Sequence, residues 1–171
     1  MGTIKNTKSE LLNENKKLRA KITTLEQSIL KHSQVEQNLQ ESEDFSKGII
    51  ESMSDGFSIL SENGVHLEVN AALCAMTGFA KEELIGVGLP HPYWPEEEYE
   101  NIQAAFEKTA QGNFESFELV FKNKKGHRFP VLVNPSQIKD DQGRVLSNFA
   151  TVMDITERKQ SELEIIEAKE H

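Results

Sequence analysis

The residues able to do chemistry are few, and their spacing limits what they can do. Glu96, Glu97, Glu98 and Glu100 form an acidic run. Acid–base catalysis or metal binding needs carboxylates that converge, whereas three successive residues on a helix point to different sides. The run fits the first turn of a helix, where the dipole favours negative charge. The single cysteine, Cys74, excludes an intramolecular disulfide framework and any Cys-cluster zinc or iron–sulfur site. It has no neighbouring cation or resolving cysteine in sequence, so it reads as a buried, inert thiol. There is no Gly-rich phosphate loop, no Gly-x-Ser-x-Gly and no His-Glu-x-x-His. No catalytic residue and no metal ligand is therefore expected, and the chain reads as non-enzymatic.

The elements around these residues form one ordinary domain with an elongated appendage. The chain has 171 residues, of which 37% are hydrophobic and 27% charged, less apolar than an average compact domain. A net charge of −9 repels phosphate backbones and anionic membranes, which argues against nucleic acid and against direct membrane contact. No apolar run is long enough for a spanning helix or a signal peptide, and together with the lone cysteine this points to the cytoplasm.

The appendage occupies residues 1–41. Leu11, Leu18, Leu25 and Leu39 stand at heptad d positions, with Asn15, Ile22 and Ile29 at a. Branched residues at a and leucine at d favour a parallel two-stranded coiled coil, and hence a homodimer. Asn15 is either a register-setting polar pair or a frayed polar end. His32 and Glu36 break the seam, and Val35 is out of phase, as in a stutter. Up to Asp44 the segment is neutral, with seven basic and seven acidic residues, which suits interhelical pairing.

Residues 42–156 carry the compact domain. A short helix through Phe45, Ile49 and Met53 is expected to face inward and end at Asp55-Gly56. Two strand-like runs, 57–60 and 65–69, flank Glu62-Asn63-Gly64, a hairpin signal. Helical fragments follow at 71–76, 81–84 and roughly 96–110, and then three alternating runs at 114–122, 129–133 and 145–153. This is an α+β layout, a five-stranded antiparallel sheet with helices on one face. Residues 157–171 begin a C-terminal helix. Asp154 or Thr156 can cap it, and its sparse apolar stripe, Leu163 and Ile166, calls for a partner.

Several motifs in order resemble a PAS domain of the S-box type. They are Asp55-Gly56-Phe57, Asn70-Ala71-Ala72, Thr77-Gly78-Phe79 with Glu82-Glu83-Leu84-Ile85-Gly86, and His91-Pro92-Tyr93-Trp94-Pro95. The Gly126 and Gly143 turns and Asp154-Ile155-Thr156-Glu157-Arg158-Lys159 complete the set. The resemblance implies a sensory or dimerisation module set between other domains of histidine kinases or cyclic-dinucleotide enzymes. The end, Ala168-Lys169-Glu170-His171, resembles the lead-in to a kinase dimerisation helix.

In this family small molecules sit between the inner sheet face and the helices. The candidate pocket lining is then Trp94, Phe106, Phe117, Phe121, Val131, Asn148 and Val152, with Leu119, Phe129, Val133 and Ala150 on the same faces. So apolar a wall suits a core filled by its own side chains, and no cofactor is the first expectation, with flavin or heme the alternatives. Light-driven flavin chemistry is excluded, because Cys74 lies inside the earlier helix and Phe121, Val131 and Val152 replace polar flavin contacts. The long helix has no axial histidine for heme, leaving only His91 before it and His66 on a strand. The segment 91–95 reads as a proline-stiffened lid. Signal coupling falls to Asp154, Thr156 and Arg158, with the Asp154 carboxylate holding both the helix cap and Arg158. The expected partner beyond the second copy is a downstream kinase or other output domain.

Overall fold

The computed structural model describes the backbone over residues 2–170 and side chains over residues 7–169. Met1 and His171 lie outside the described residues, and with His171 the end of the segment likened to a kinase lead-in. Heptad-spaced aliphatics, with no proline before Pro90, give one helix, α1 (Gly2–Ser52). Pairs four residues apart, such as Gln37–Glu41 at 2.9 Å and Gln40–Asp44 at 3.0 Å, lace its surface. Asn15 accepts from Arg19 of its own helix at 2.9 Å. α1 runs unbroken through the expected boundary at 42, and the chain divides into two units between Gly48 and Ile49. Phe45 and Ile49, expected to face inward, are exposed, and only Met53 is half-buried.

The second unit is a five-stranded antiparallel sheet in the order β2-β1-β5-β4-β3. Its strands are β1 (Gly56–Leu60), β2 (His66–Val69), β3 (Phe117–Lys122), β4 (Arg128–Lys139) and β5 (Val145–Asp154). Between β2 and β3 come α2 (Ala71–Thr77), α3 (Lys81–Leu84), a 3₁₀ turn (Glu96–Glu98) and α4 (Tyr99–Ala110); α5 (Thr156–Glu170) follows β5. The core joins Leu73, Leu84 and Ile102 from the helices to Val69, Phe121, Phe129, Val131 and Val152 from the sheet.

β3 starts three residues later than the apolar alternation suggests, and β4 runs six residues beyond Val133. Pro130 and Pro135 hide that length in the sequence. β4 pairs with β3 over Arg128–Val133 and with β5 over Val131–Lys139, so each proline lies where β4 has a neighbour on one side only. A residue without an N–H is tolerated there. The β1–β2 hairpin turns at Gly64, whose φ of +77° favours glycine, and a Cβ there would lie 2.6 Å from the Leu89 side chain.

Candidate functional site

The inner sheet face, α4 and residues 91–94 line a partly open cavity of about 80 Å3. Trp94, Phe106, Phe117, Phe121, Asn148 and Val152 line it, together with Leu119, Val133 and Ala150. Val131 does not. It is fully buried in the core cluster with Phe121, Phe129 and Leu73, so it has no face open to the cavity, and Phe129 is likewise a core residue.

Asn148, the inward amide on β5, is satisfied by protein. Its Oδ1 accepts from Gln137 Nε2 at 3.0 Å, and Gln137 also donates to Thr109 O at 3.2 Å. Its Nδ2 reaches Ser61 O at 3.5 Å. Gln137 lies on the part of β4 that the prolines obscure, so nothing in the sequence flags it.

At the other end of the cavity His91 and Tyr93 join His66 in a buried chain, the three being 1%, 4% and 0% exposed. His91 Nε2 lies 2.8 Å from Gly64 O, Tyr93 Oη is 3.0 Å from His91 Nδ1, and His66 Nε2 is 2.9 Å from Tyr93 Oη. A carbonyl accepts only, so His91 carries its proton on Nε2 and its bare Nδ1 takes the Tyr93 hydroxyl. Tyr93 Oη then accepts from His66 Nε2–H. This leaves His66 Nδ1 a bare acceptor, and that atom has no partner. The two imidazoles stack at 4.0 Å. Burial, reinforced by His91, pushes the His66 pKa down to about 3, and burial takes His91 to about 4. Desolvation also pushes the Tyr93 hydroxyl up. Sequence reasoning weighed these histidines as heme ligands and missed the chain; only the His-x-Tyr spacing at 91–93 hinted at it.

The acidic run is a solvated surface. Glu96–Glu98 form the 3₁₀ turn ahead of α4 rather than its first α-turn, Glu97 pairs with Arg128, and Glu98 accepts from Asn101. The Arg128 guanidinium holds the Glu97 carboxyl down at about 2. Among the described residues no metal-holding cluster of His, Cys, Asp and Glu occurs.

At the C-terminal junction Asp154 Oδ1 accepts from Thr156 N–H at 2.9 Å and from the Thr156 hydroxyl at 2.6 Å. It therefore caps α5, but it does not hold Arg158. That residue reaches Glu118 on β3 at 2.5 Å and Glu162 on its own helix at 3.3 Å, and Lys159 joins Glu118 at 2.5 Å. The geometry explains the difference: Asp154 is spent on the first-turn donors of α5, while Arg158 lies one turn on, beside the β3 edge. Glu118 was missed because the contact spans 40 residues.

Asn70, 1% exposed, organises the opposite junction. Its Oδ1 accepts from Phe57 N–H at 2.8 Å and from Leu73 N–H at 3.0 Å, capping α2. Its Nδ2 donates to Asp55 O at 2.9 Å and Ile50 O at 3.1 Å. Glu51 accepts from Ala71 N–H at 3.0 Å and approaches Lys81 at 3.8 Å, and Lys81 also pairs with Glu68. The last turn of α1 is thus tied to β1, β2, α2 and α3.

The family model described as "PAS domain" matches residues 54–157, more than half of the chain. The chain belongs to the PAS domain family. It is 29% identical over 142 residues to a C4-dicarboxylate transport sensor protein of Rhodobacter capsulatus, covering 82% of this chain and 22% of that protein. It is 30% identical over 127 residues to a probable diguanylate cyclase of Escherichia coli, covering 73% of this chain and 11% of that one. The chain thus spans less than a quarter of the length of these relatives. Among solved structures it resembles the PAS domain of an HTR-like protein from Haloarcula marismortui, with a TM-score of 0.60 at 21% identity, over 72% of this chain and 99% of that one. It also resembles an RNA-binding light-oxygen-voltage receptor, with a TM-score of 0.66 at 17% identity, over 75% of this chain and 37% of that one.

Neither proposed cofactor fits this PAS domain. A cavity of about 80 Å3 has no room for an isoalloxazine or a porphyrin. Both imidazole Nε2 atoms are engaged, and His66, whose Nδ1 is bare, does not line the cavity. Cys74 is half-buried on α2, and desolvation raises its thiol pKa, opposite to the shift that makes a thiol reactive.

Proposed function

We propose that this PAS domain is a non-catalytic sensory and dimerisation module, paired in parallel through α1 and signalling through α5 to a downstream output domain, a histidine kinase by analogy with the sensor relative. The observation that carries the reading is the α1 stripe. Leu11, Leu18, Ile22, Leu25, Ile29 and Leu39 are all more than half exposed along one unbroken helix of 51 residues. A helix with an apolar seam and a charged remainder is stabilised by packing rather than by propensity, and a second copy supplies the matching seam. Asp154, Thr156 and Arg158, with Glu118, couple α5 to the sheet in this reading. A cytoplasmic setting belongs to it too; no helix among the described residues is long and apolar enough to cross a membrane.

A second reading, a receptor for a small molecule in the cavity, draws support from the polar groups on its wall, Ser58, His91, Tyr93, Thr109 and Asn148. The volume restricts such a ligand to a few heavy atoms, since one water needs about 10–15 Å3 on the same measure.

Native mass spectrometry beside a denaturing spectrum separates the two. Dimers of bare chains, converted to monomers by Ile22→Lys with Leu25→Lys, are expected. A monomeric parent chain, or a double variant that stays dimeric, overturns the coiled-coil reading. A small extra mass per subunit, lost on denaturation, establishes the receptor.

A further inference from the structure

Residues 85–95, between α3 and the 3₁₀ turn, carry His91, Tyr93 and Trp94, which form one wall of the cavity. The segment is fastened to the β1–β2 hairpin and, at Tyr93, to β3, where Lys122 N–H donates to Tyr93 O at 2.8 Å and the Phe121 ring lies 4.9 Å from the Tyr93 ring. Gly86 N–H donates to His66 O at 2.9 Å, and His66 N–H to Val87 O at 3.0 Å. The Leu89 side chain fills the space a Cβ on Gly64 would need. Deeper in, the chain from His66 through Tyr93 and His91 to Gly64 O closes the attachment.

We propose that the His66–Tyr93–His91 chain is an acid-released latch: with both imidazoles neutral it holds residues 85–95 closed over the cavity, and protonation of the imidazoles frees the segment while the sheet stays folded.

The hydrogen-bond direction makes the latch intolerant of protons. A proton on His91 Nδ1 removes the acceptor of the Tyr93 hydroxyl. A proton on His66 Nδ1 places a buried charge, and a donor without a partner, where only a bare nitrogen stood. Protonating both puts two cations in rings stacked at 4.0 Å. No counter-charge relieves this. His66 is faced by His91 and Tyr93 from the segment packed on it. On its own strand Glu68 is turned to Lys81 of α3, while Glu62 of the hairpin turn and Glu82 and Glu83 of α3 are exposed. His91 is faced by His66, Tyr93 and the Trp94 ring. No carboxylate contributes to the shift of either imidazole.

The linkage sets the working range. Released, each imidazole returns toward about 6.5; closed, they sit at about 3 and about 4. A lowered closed-state pKa means that closure is strongest above the free value and is lost as pH falls below it. With two sites, closure weakens by up to about 100-fold per pH unit below 6.5. The latch therefore opens well above the closed-state pKa values. This goes beyond the relay proposed above and does not depend on dimerisation.

Trp94 is the only tryptophan, 4% exposed and edge-on to His91 at 5.0 Å. Its emission maximum, followed in the full chain against pH beside far-UV circular dichroism, reads the latch. The maximum rather than the intensity is used, because a nearby imidazolium quenches intensity without moving the maximum. The expected result is a red shift between pH 6.5 and 4.5, with a two-proton dependence and unchanged dichroism. His66→Leu should reduce that dependence to one proton. Emission that stays blue until the dichroism collapses in the same step overturns the proposal, as does a two-proton dependence retained in His66→Leu. If that variant does not fold, long-range ¹H–¹⁵N spectra of the parent chain decide. Both imidazoles protonated on Nε2 at neutral pH and titrating with the segment's opening are expected, and a His66 protonated on Nδ1 at neutral pH overturns the hydrogen-bond direction and the latch with it.

Discussion

The carboxylate of Glu118 on β3 holds Arg158 on α5 at 2.5 Å across 40 residues of sequence, and its second oxygen holds Lys159 at the same distance. Both cations lower the Glu118 pKa, Lys159 more than Arg158. Because all three side chains are substantially exposed, the value of this cluster lies in the direction it gives α5 rather than in stability.

Glu118→Gln should leave the melting temperature nearly unchanged. It should also speed amide exchange through the first two turns of α5. Thermal unfolding checks the first half of the statement, and hydrogen exchange read by mass spectrometry checks the second. Unaltered exchange at residues 158–163 would show that the apolar contacts of the junction, Ile155 above all, orient the helix without the ions.

Asp154→Ala separates capping from coupling. Asp154 accepts only from Thr156, so the variant should lose about 1 kcal/mol of stability. The Glu118–Arg158 contact should survive, because it shares no atom with the cap. Denaturant unfolding gives the first quantity. The distance between spin labels on β3 and α5 gives the second, and an increase would place Asp154 in the coupling path after all.

What the sequence revealed follows periodicity. The heptads of α1, the Asn-Gly hairpin and the alternating runs are local patterns, and each element they predict is present. The five-stranded antiparallel sheet is expected from them, but its strand order is not. The connections that tie the domain together are not periodic: Gln137 to Asn148, Glu118 to Arg158, and His66 to Tyr93 join residues brought close only by strand register and tertiary packing. A carboxylate chooses among cations by geometry, which is why Arg158 was paired in sequence with nearby Asp154. Val131 illustrates the same limit on the apolar side. Alternation places it on the inner face, but only packing decides whether that face meets a cavity or solid core.

Asn70 is the buried amide whose removal should cost most. Asn70→Ala strands the Phe57 and Leu73 N–H groups and the Asp55 carbonyl, and leaves the Ile50 carbonyl only Met53 N–H at 3.4 Å, a loss on the order of 3 kcal/mol. Asn70→Asp keeps the acceptor and turns a second oxygen toward two carbonyls. Its carboxyl then favours the protonated form, so its folded-state pKa rises above the unfolded value of about 4. A raised folded pKa gives stability that is present below the unfolded pKa and lost as pH rises through the folded one. Relative to the parent chain, Asn70→Asp should therefore be least stable at neutral pH and recover on acidification. Urea unfolding of both chains at pH 7 and pH 4.5 tests the sign, and a deficit that is constant or grows on acidification contradicts the assigned orientation of the amide.

The cavity offers the sharpest stability test, because its two readings predict opposite signs. Ala150 lines it from the centre of the sheet, opposite Ser58 on β1. Ala150→Val adds two carbon atoms to about 80 Å3 of space. If that space is empty, the new methyl groups gain contacts that Ala150 lacks, and valine suits a strand, so the variant should be more stable by about 1 kcal/mol. If a small molecule occupies the cavity in the purified protein, the same change expels it or collides with it. The variant then loses the stabilisation that binding contributed. Unfolding in urea, on protein dialysed extensively and on protein taken directly from purification, distinguishes the cases. A gain of equal size in both preparations identifies a cavity that holds no ligand, and a loss seen only before dialysis identifies a ligand.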